Sequence, residues 1–162
     1  MILACMSTSL FPFYRFTQLV QSLADEYHDQ IILQYGYSKE PIRTDLITPV
    51  DFLSIGDFEK KCMEASLVIS QAGIGVVISC LSAGTPLVLV PRLSVYGETE
   101  TDHQLEMQMI VSNLDATDQI KVVIDEKQFG TICKSLYGKR FQRRGEGELP
   151  KRLVEYITCH CQ

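Results

Sequence analysis

The chain has 162 residues, 46% of them hydrophobic and 22% charged, with a formal net charge of −5. These totals suit one globular domain that folds without disulfide or metal staples. They argue against nucleic acid as a partner, because such proteins cluster Lys and Arg against phosphates, and no apolar run approaches the ~18 residues of a membrane span.

Residues 2–6 form a compact apolar run that reads as a buried strand, broken by "STSLFP". Phe13, Phe16, Leu19, Val20 and Leu23 then recur at helical spacing. "QIILQYG" is a second strand ended by Gly36, and a short strand is expected near residues 46–50, in a stretch bracketed by Pro41 and Pro49. Ser54, with Asp57 three positions on, marks a helix start running to about Glu64.

"SLVIS" is the next strand. It enters the loop "QAGIG", and a helix is expected from about Val76 to Ala83, with Gly84 at its C-terminus and Pro86 as a stop. "LVLVP" is another strand. Residues 102–113 read as a helix with Leu105, Met109 and Ile110 facing inward, opened by a Thr101–Gln104 capping box. "IKVVI" is the last strand, and Asp125 with Gln128 resembles a capping box for a helix to about Tyr137. Three parts follow: a domain over 1–137, a glycine-rich basic linker over 138–148, and an amphipathic C-terminal helix over 149–162 carrying Leu149, Leu153, Tyr156 and Ile157.

Short apolar strands alternating with helices imply parallel βαβ units, hence an α/β fold with a Rossmann-like parallel sheet and helices on both faces. Such sheets take ligands outside the carboxyl ends of their strands. The loops after Met6, Tyr35, Ser70 and Val90 are therefore the candidate site.

The loop "SQAGIGVV" follows a strand and opens a helix, so Gly73, Ile74 and Gly75 could offer backbone N–H groups to a diphosphate. The same pattern also suits a tight turn with no ligand. No Walker loop occurs, and "CMSTSLFP" after the first strand has no glycine, which excludes P-loop and NAD fingerprints. Arg92, at a strand end, reads equally as a phosphate partner or a surface ion pair. His103 reads equally as a ligand contact or a solvated side chain. The six cysteines sit mostly among apolar residues, as free thiols do in a reducing, cytosolic compartment, and "MILACMSTS" lacks the basic start of a secretory leader. "CHC" at 159–161 offers too few ligands, too close together, for a zinc cage, and no metal site is expected.

Together, "LVISQAGIGVVISCLSAGTPLVLVPR" and "DHQLEMQ" resemble the donor-binding half of family 28 glycosyltransferases. Within that family the chain is most similar to small stand-alone subunits of two-part transferases. One kind adds N-acetylglucosamine in asparagine-linked glycosylation, and a bacterial counterpart acts in exopolysaccharide synthesis. "MILACMSTSLFPFYRFTQLVQSLA" and "LQYGYS" extend the likeness to about Leu136.

The resemblance implies a GT-B half-domain that binds a UDP-sugar as donor substrate and uses no cofactor. It implies an inverting, metal-independent transfer to a lipid-linked sugar acceptor at the cytosolic membrane face. N-acetylglucosamine is the expected sugar. A membrane-anchored acceptor-binding subunit would be the partner and would recruit this cytoplasmic chain to the membrane. The implied substrate-binding residues are Ser7, Thr8, Gly73, Ile74, Gly75, Arg92, His103, Gln104 and Glu106, and the catalytic base would come from the acceptor half.

Four positions depart from the family pattern: Ser7 for a glycine, Gln71 for a histidine, Val76 for a small hydroxyl residue, and Ser79 or Cys80 for a glutamate that reaches the ribose. They keep open the alternative of a non-catalytic homologue serving as a scaffold or interaction subunit.

Overall fold

The computed structural model describes residues 1–6, 9–38 and 44–144. Six short parallel strands make one sheet: β1 (Ile2–Cys5), β2 (Ile31–Gln34), β3 (Ile47–Val50), β4 (Leu67–Gln71), β5 (Leu87–Val90) and β6 (Ile120–Val122). Their order is β3-β2-β1-β4-β5-β6. Five α-helices join them: α1 (Tyr14–Tyr27), α2 (Ile55–Glu64), α3 (Ile74–Ala83), α4 (Met107–Asn113) and α5 (Phe129–Leu136).

The strands are continuous apolar runs because both faces of the sheet are covered. Alternate side chains divide between two cores. Ile2, Ala4, Leu33, Ile69 and Val88 pack with Phe16, Val20 and Leu23 of α1 and Phe129 and Cys133 of α5. Leu3, Cys5, Val68, Leu87 and Leu89 pack on the other face with Cys62 of α2, Val77 and Leu81 of α3 and Val111 of α4. The chain is thus the expected α/β sheet with helices on both faces. Pro49 sits in β3, an edge strand, where its missing N–H breaks no ladder.

Local signals explain several boundaries. Ser54 caps α2 by accepting from the Asp57 N–H at 3.1 Å, while its hydroxyl donates to the Asp57 carboxylate at 2.7 Å. Gly84 ends α3 at φ +69°, donating to the carbonyls of Cys80 and Leu81. Asp125 accepts from the Lys127 N–H, but a 3-10 turn (Glu126–Gln128) precedes α5.

One expectation fails. The helix foreseen over 102–113 is a 3-10 turn (His103–Glu106) followed by the short α4, with Met107 and Val111 buried and Met109 56% exposed. Four residues wound at 3.0 rather than 3.6 per turn rotate the following face by roughly 80°. Met107 and Val111 therefore face inward and Met109 turns out, while Ile110 still packs against the core as expected. The Thr101–Gln104 capping box does not form either: Thr101 Oγ1 bonds His103 Nδ1, and Gln104 is engaged elsewhere.

Residues 138–144, the described part of the expected linker, are docked against the domain. Gly138 N–H donates to Ser66 O, Phe141 N–H to Gly84 O and Arg144 N–H to Leu81 O, while Arg140 reaches Thr85 Oγ1 at 3.1 Å and Arg144 reaches the carbonyls of Leu114 and Asp115. The C-terminal helix expected from Leu149 lies outside the described residues.

Candidate functional site

Strand order selects the place. From β1 the chain proceeds to β2 and β3 on one side, then returns to β4 on the other, so a crevice opens between the carboxyl ends of β1 and β4. The register sets Cys5 of β1 beside Ser70 of β4. A cavity of about 240 Å³ lies there. Cys5 and Met6 line it from β1, Gln34 from β2, Ser70 and Gln71 from β4, Phe58 from α2, and Gly73, Gly75 and Val76 from the start of α3. Its volume is below the ~300–1,000 Å³ of pockets that enclose a whole ligand, so a nucleotide would fill it in part and lie across its rim.

Larger hollows lie elsewhere. One of about 640 Å³ runs past Asp115, Gln119 and Arg144 near the amino ends of β5 and β6. Another, about 430 Å³, is bordered by Arg15, Tyr96, Glu98 and Glu126 beside the loops that follow β5 and β6. A third, about 310 Å³, lies between α4 and β6, against Gln108, Val111 and Lys121. None of the three touches the glycine turn, whereas the β1–β4 crevice unites a strand switch with a helix start.

Gly73 is the N-cap of α3, and among the described residues no side chain caps that end. The first-turn N–H groups are thus left for another acceptor. Gly73 has φ −125° and ψ 136°, a conformation open to any residue, so no left-handed turn calls for glycine here. Crowding within the fold does not call for it either. A Cβ on Gly75 would meet nothing within 4 Å, and one on Gly73 only Gln71 O at 4.0 Å. That bare backbone leaves room for an anion to approach the helix end.

Arg92 is the hub of the neighbouring loops. It is 1% exposed, so it is not a surface ion pair. Its Nε donates to Gln71 Oε1 at 2.8 Å, and its Nη1 to the carbonyls of Phe11 at 2.8 Å, Glu98 at 3.1 Å and Pro12 at 3.4 Å. Its guanidinium lies 4.5 Å from the Phe13 ring centre, and Nη2 is buried without a partner. Burial lowers its pKa; Glu98 opposes that shift and Arg15 adds to it. The Arg92 N–H is taken by Gln104 Oε1 at 2.9 Å. Alongside, Arg15 grips the Glu98 carboxylate through Nε at 3.0 Å and Nη2 at 2.7 Å, and reaches Pro91 O.

Of the expected site residues, Gly73 and Gly75 line the cavity and Ile74 lies between them at the helix start. Gln104 is buried and braces Arg92, whereas His103 and Glu106 are exposed. Ser7 and Thr8 lie outside the described residues. Cys80 points into the core, its sulfur 3.5 Å from that of Cys62, and Ser79 is half-buried.

Sequence reasoning placed the loop after Met6 in the site but missed Gln34 and Phe58. Gln34 ties the loops together, donating from Nε2 to Met6 O at 2.8 Å and accepting the Leu53 N–H at 2.9 Å. Its signal was a polar residue closing an otherwise apolar strand. Cys5 is no nucleophile: burial pushes its thiol up to about 12, against a lowering hydrogen bond from Ser70. No carboxylate or histidine is among the described residues lining the cavity.

Comparison with known proteins gives the following. The glycosyltransferase family 28 C-terminal domain matches residues 10–119. No curated protein sequence matches. Among solved structures, the solution structure of ALG13 is 17% identical, covering 97% of this chain and 96% of that one at a TM-score of 0.64. The glycotransferase of kitacinnamycin is 12% identical over 96% of this chain and 38% of its own, at 0.58. MurG of Acinetobacter baumannii is 18% identical over 82% of this chain and 40% of its own, at 0.52. The chain thus spans about two-fifths of the length of the last two. At these identities the likeness is one of fold.

Proposed function

The chain belongs to glycosyltransferase family 28 through its C-terminal domain, and from that premise we propose that it is the UDP-sugar-binding half of a two-component inverting transferase. In this reading the diphosphate lies against the amino end of α3 at the mouth of the β1–β4 crevice. N–H groups from Gly73, Ile74 and Gly75 hold it and stabilise the negative charge that builds on the departing UDP. The observation that carries the reading is that uncapped helix end, opening with no Cβ in the way onto the strand switch.

The acceptor half is then a second, membrane-anchored chain that supplies the base and the lipid-linked sugar acceptor, with N-acetylglucosamine as the transferred sugar. Two observations support this. The fold is like that of ALG13 over nearly the whole of both chains. The described cavity lining has no group able to accept a proton near neutral pH. In this reading the chain works at the cytoplasmic face of a membrane, held there by its partner; no described helix is long and apolar enough to cross one.

A second reading has one observation in its favour. No carboxylate occupies the α3 positions that would face a ribose: Ser79 and Cys80 stand there, and Cys80 is in the core. A scaffold subunit that keeps the fold without turnover fits that loss.

Calorimetric titration with UDP, UDP-GlcNAc, UDP-glucose, UDP-galactose and NAD tests the donor site. Binding of UDP compounds but not NAD is expected, and silence toward all UDP compounds refutes it. Sugar transfer on adding a membrane fraction that holds the partner separates the enzyme subunit from the scaffold.

A further inference from the structure

We propose that Arg92 is a positioning residue of the donor site, acting through Gln71, and not itself a phosphate ligand. The inference rests on the donor-site reading above. Arginine carries only donors, so the Gln71 atom that receives Arg92 Nε–H at 2.8 Å must be the amide oxygen. This settles the orientation of the amide, which distances alone leave open. With Oε1 turned to Arg92, Nε2 is the remaining polar atom of the Gln71 side chain. Gln71 is among the residues lining the cavity, and among the described residues its Nε2 donates to nothing, so we take Nε2 to be the atom that faces a ligand there. The site is therefore offered a pair of N–H donors beside the α3 amino end, and the acceptor is withheld. A diphosphate, which only accepts, matches that orientation and not its flip.

Arg92 is suited to this task and not to direct contact. It is absent from the cavity lining, and its donors go to Gln71 and to the carbonyls of the loops after β1 and β5. It therefore ties the end of β4 and the loops after β1 and β5 to one planar group. Among the described residues its acceptors are neutral: the Glu98 carboxylate is taken by Arg15 and by the Leu93 N–H, and Arg92 receives only the Glu98 backbone carbonyl. A buried cation without a carboxylate in contact polarises the Gln71 amide toward the cavity and favours an anion there.

The experiment compares UDP affinity of the parent, Arg92→Lys, Arg92→Met and Gln71→Glu, each also followed through the side-chain amide signals of Gln71 in a ¹⁵N–¹H spectrum. In the parent, one sharp Gln71 amide pair should shift on adding UDP. Arg92→Met should weaken UDP tenfold or more, about 1.4 kcal/mol, and abolish that shift. Arg92→Lys, which can still donate to Oε1, should restore part of both. Gln71→Glu keeps the acceptor for Arg92 but loses the N–H donors, and should bind UDP at least tenfold more weakly while unfolding no more easily than the parent.

If Arg92→Met does not fold, the parent spectrum and Gln71→Glu still decide. A Gln71 amide pair unmoved by bound UDP, or Gln71→Glu with parental affinity, overturns the positioning role while the donor site stands. A parent chain that binds no UDP overturns the donor-site reading, and the positioning role with it.

Discussion

Gly73→Val separates the fold from the site. The backbone there has φ −125° and ψ 136°, which a β-branched residue adopts freely, and the nearest atom to a new Cβ is 4.0 Å away. The fold loses only the advantage of glycine over valine at an N-cap, about 0.5–1 kcal/mol. For a chain of this size that lowers the Tm by roughly 1–4 °C. The ligand suffers more, because an isopropyl group now stands over the N–H groups of the first turn.

At a UDP concentration of about 100 Kd the parent should gain about 2.7 kcal/mol, a rise in Tm of roughly 5–11 °C. The variant should gain nothing. Differential scanning fluorimetry with and without millimolar UDP, checked by calorimetry, reads both numbers. A variant that melts near the parent and still shows the full UDP shift would refute the placement of the diphosphate. Gly75→Val is the companion: inside the helix valine outranks glycine by a few tenths of a kcal/mol, so binding should vanish with no loss of stability.

Gly84→Ala should cost about 2–3 kcal/mol in urea unfolding, since φ is +69° and a Cβ would lie 2.3 Å from Phe141 O, displacing residues 138–144. Glu98→Gln should cost about 1.5–3 kcal/mol, because half-buried Arg15 would lose the charge-assisted pair at 2.7 Å and, of its carboxylates, keep only that of Glu126 at 3.6 Å; unfolding within 0.5 kcal/mol of the parent would contradict this. Burial pushes the Cys5 and Cys133 thiols up to about 12 from 9.0. The unfolded chain then releases those protons first, so stability is full below about pH 9 and falls between about pH 9 and 12, by ~1.4 kcal/mol per pH unit for each thiol. Cys133→Ala should flatten that slope in denaturant titrations at pH 8.5–10.5.

Much of the fold is legible in the sequence because its signals are local. Runs such as "ILAC" and "LVLV" are apolar at every position, which only a sheet covered on both faces satisfies. Ser54 with Asp57, and Gly84 after Ala83, mark helix ends through contacts of a few residues. The glycine turn is legible for the same reason: helix start and bare backbone lie within "QAGIGVV". The face of α4 was not, because a 3-10 turn changes the winding without an obvious change in composition.

The sequence by itself determined the alternation of strands and helices and the presence of a glycine turn that opens a helix, since each follows from periodicity and backbone chemistry over short stretches. Only the tertiary structure decided what those parts do together. The strand order sets Cys5 beside Ser70, 65 positions away, and so makes the crevice. The packing of the loops after β1 and β5 turned Arg92 inward onto Gln71 and paired Arg15 with Glu98 across 83 positions. A charged side chain's partner is chosen by whichever distant acceptors the fold brings within hydrogen-bond reach, and no local pattern encodes that choice.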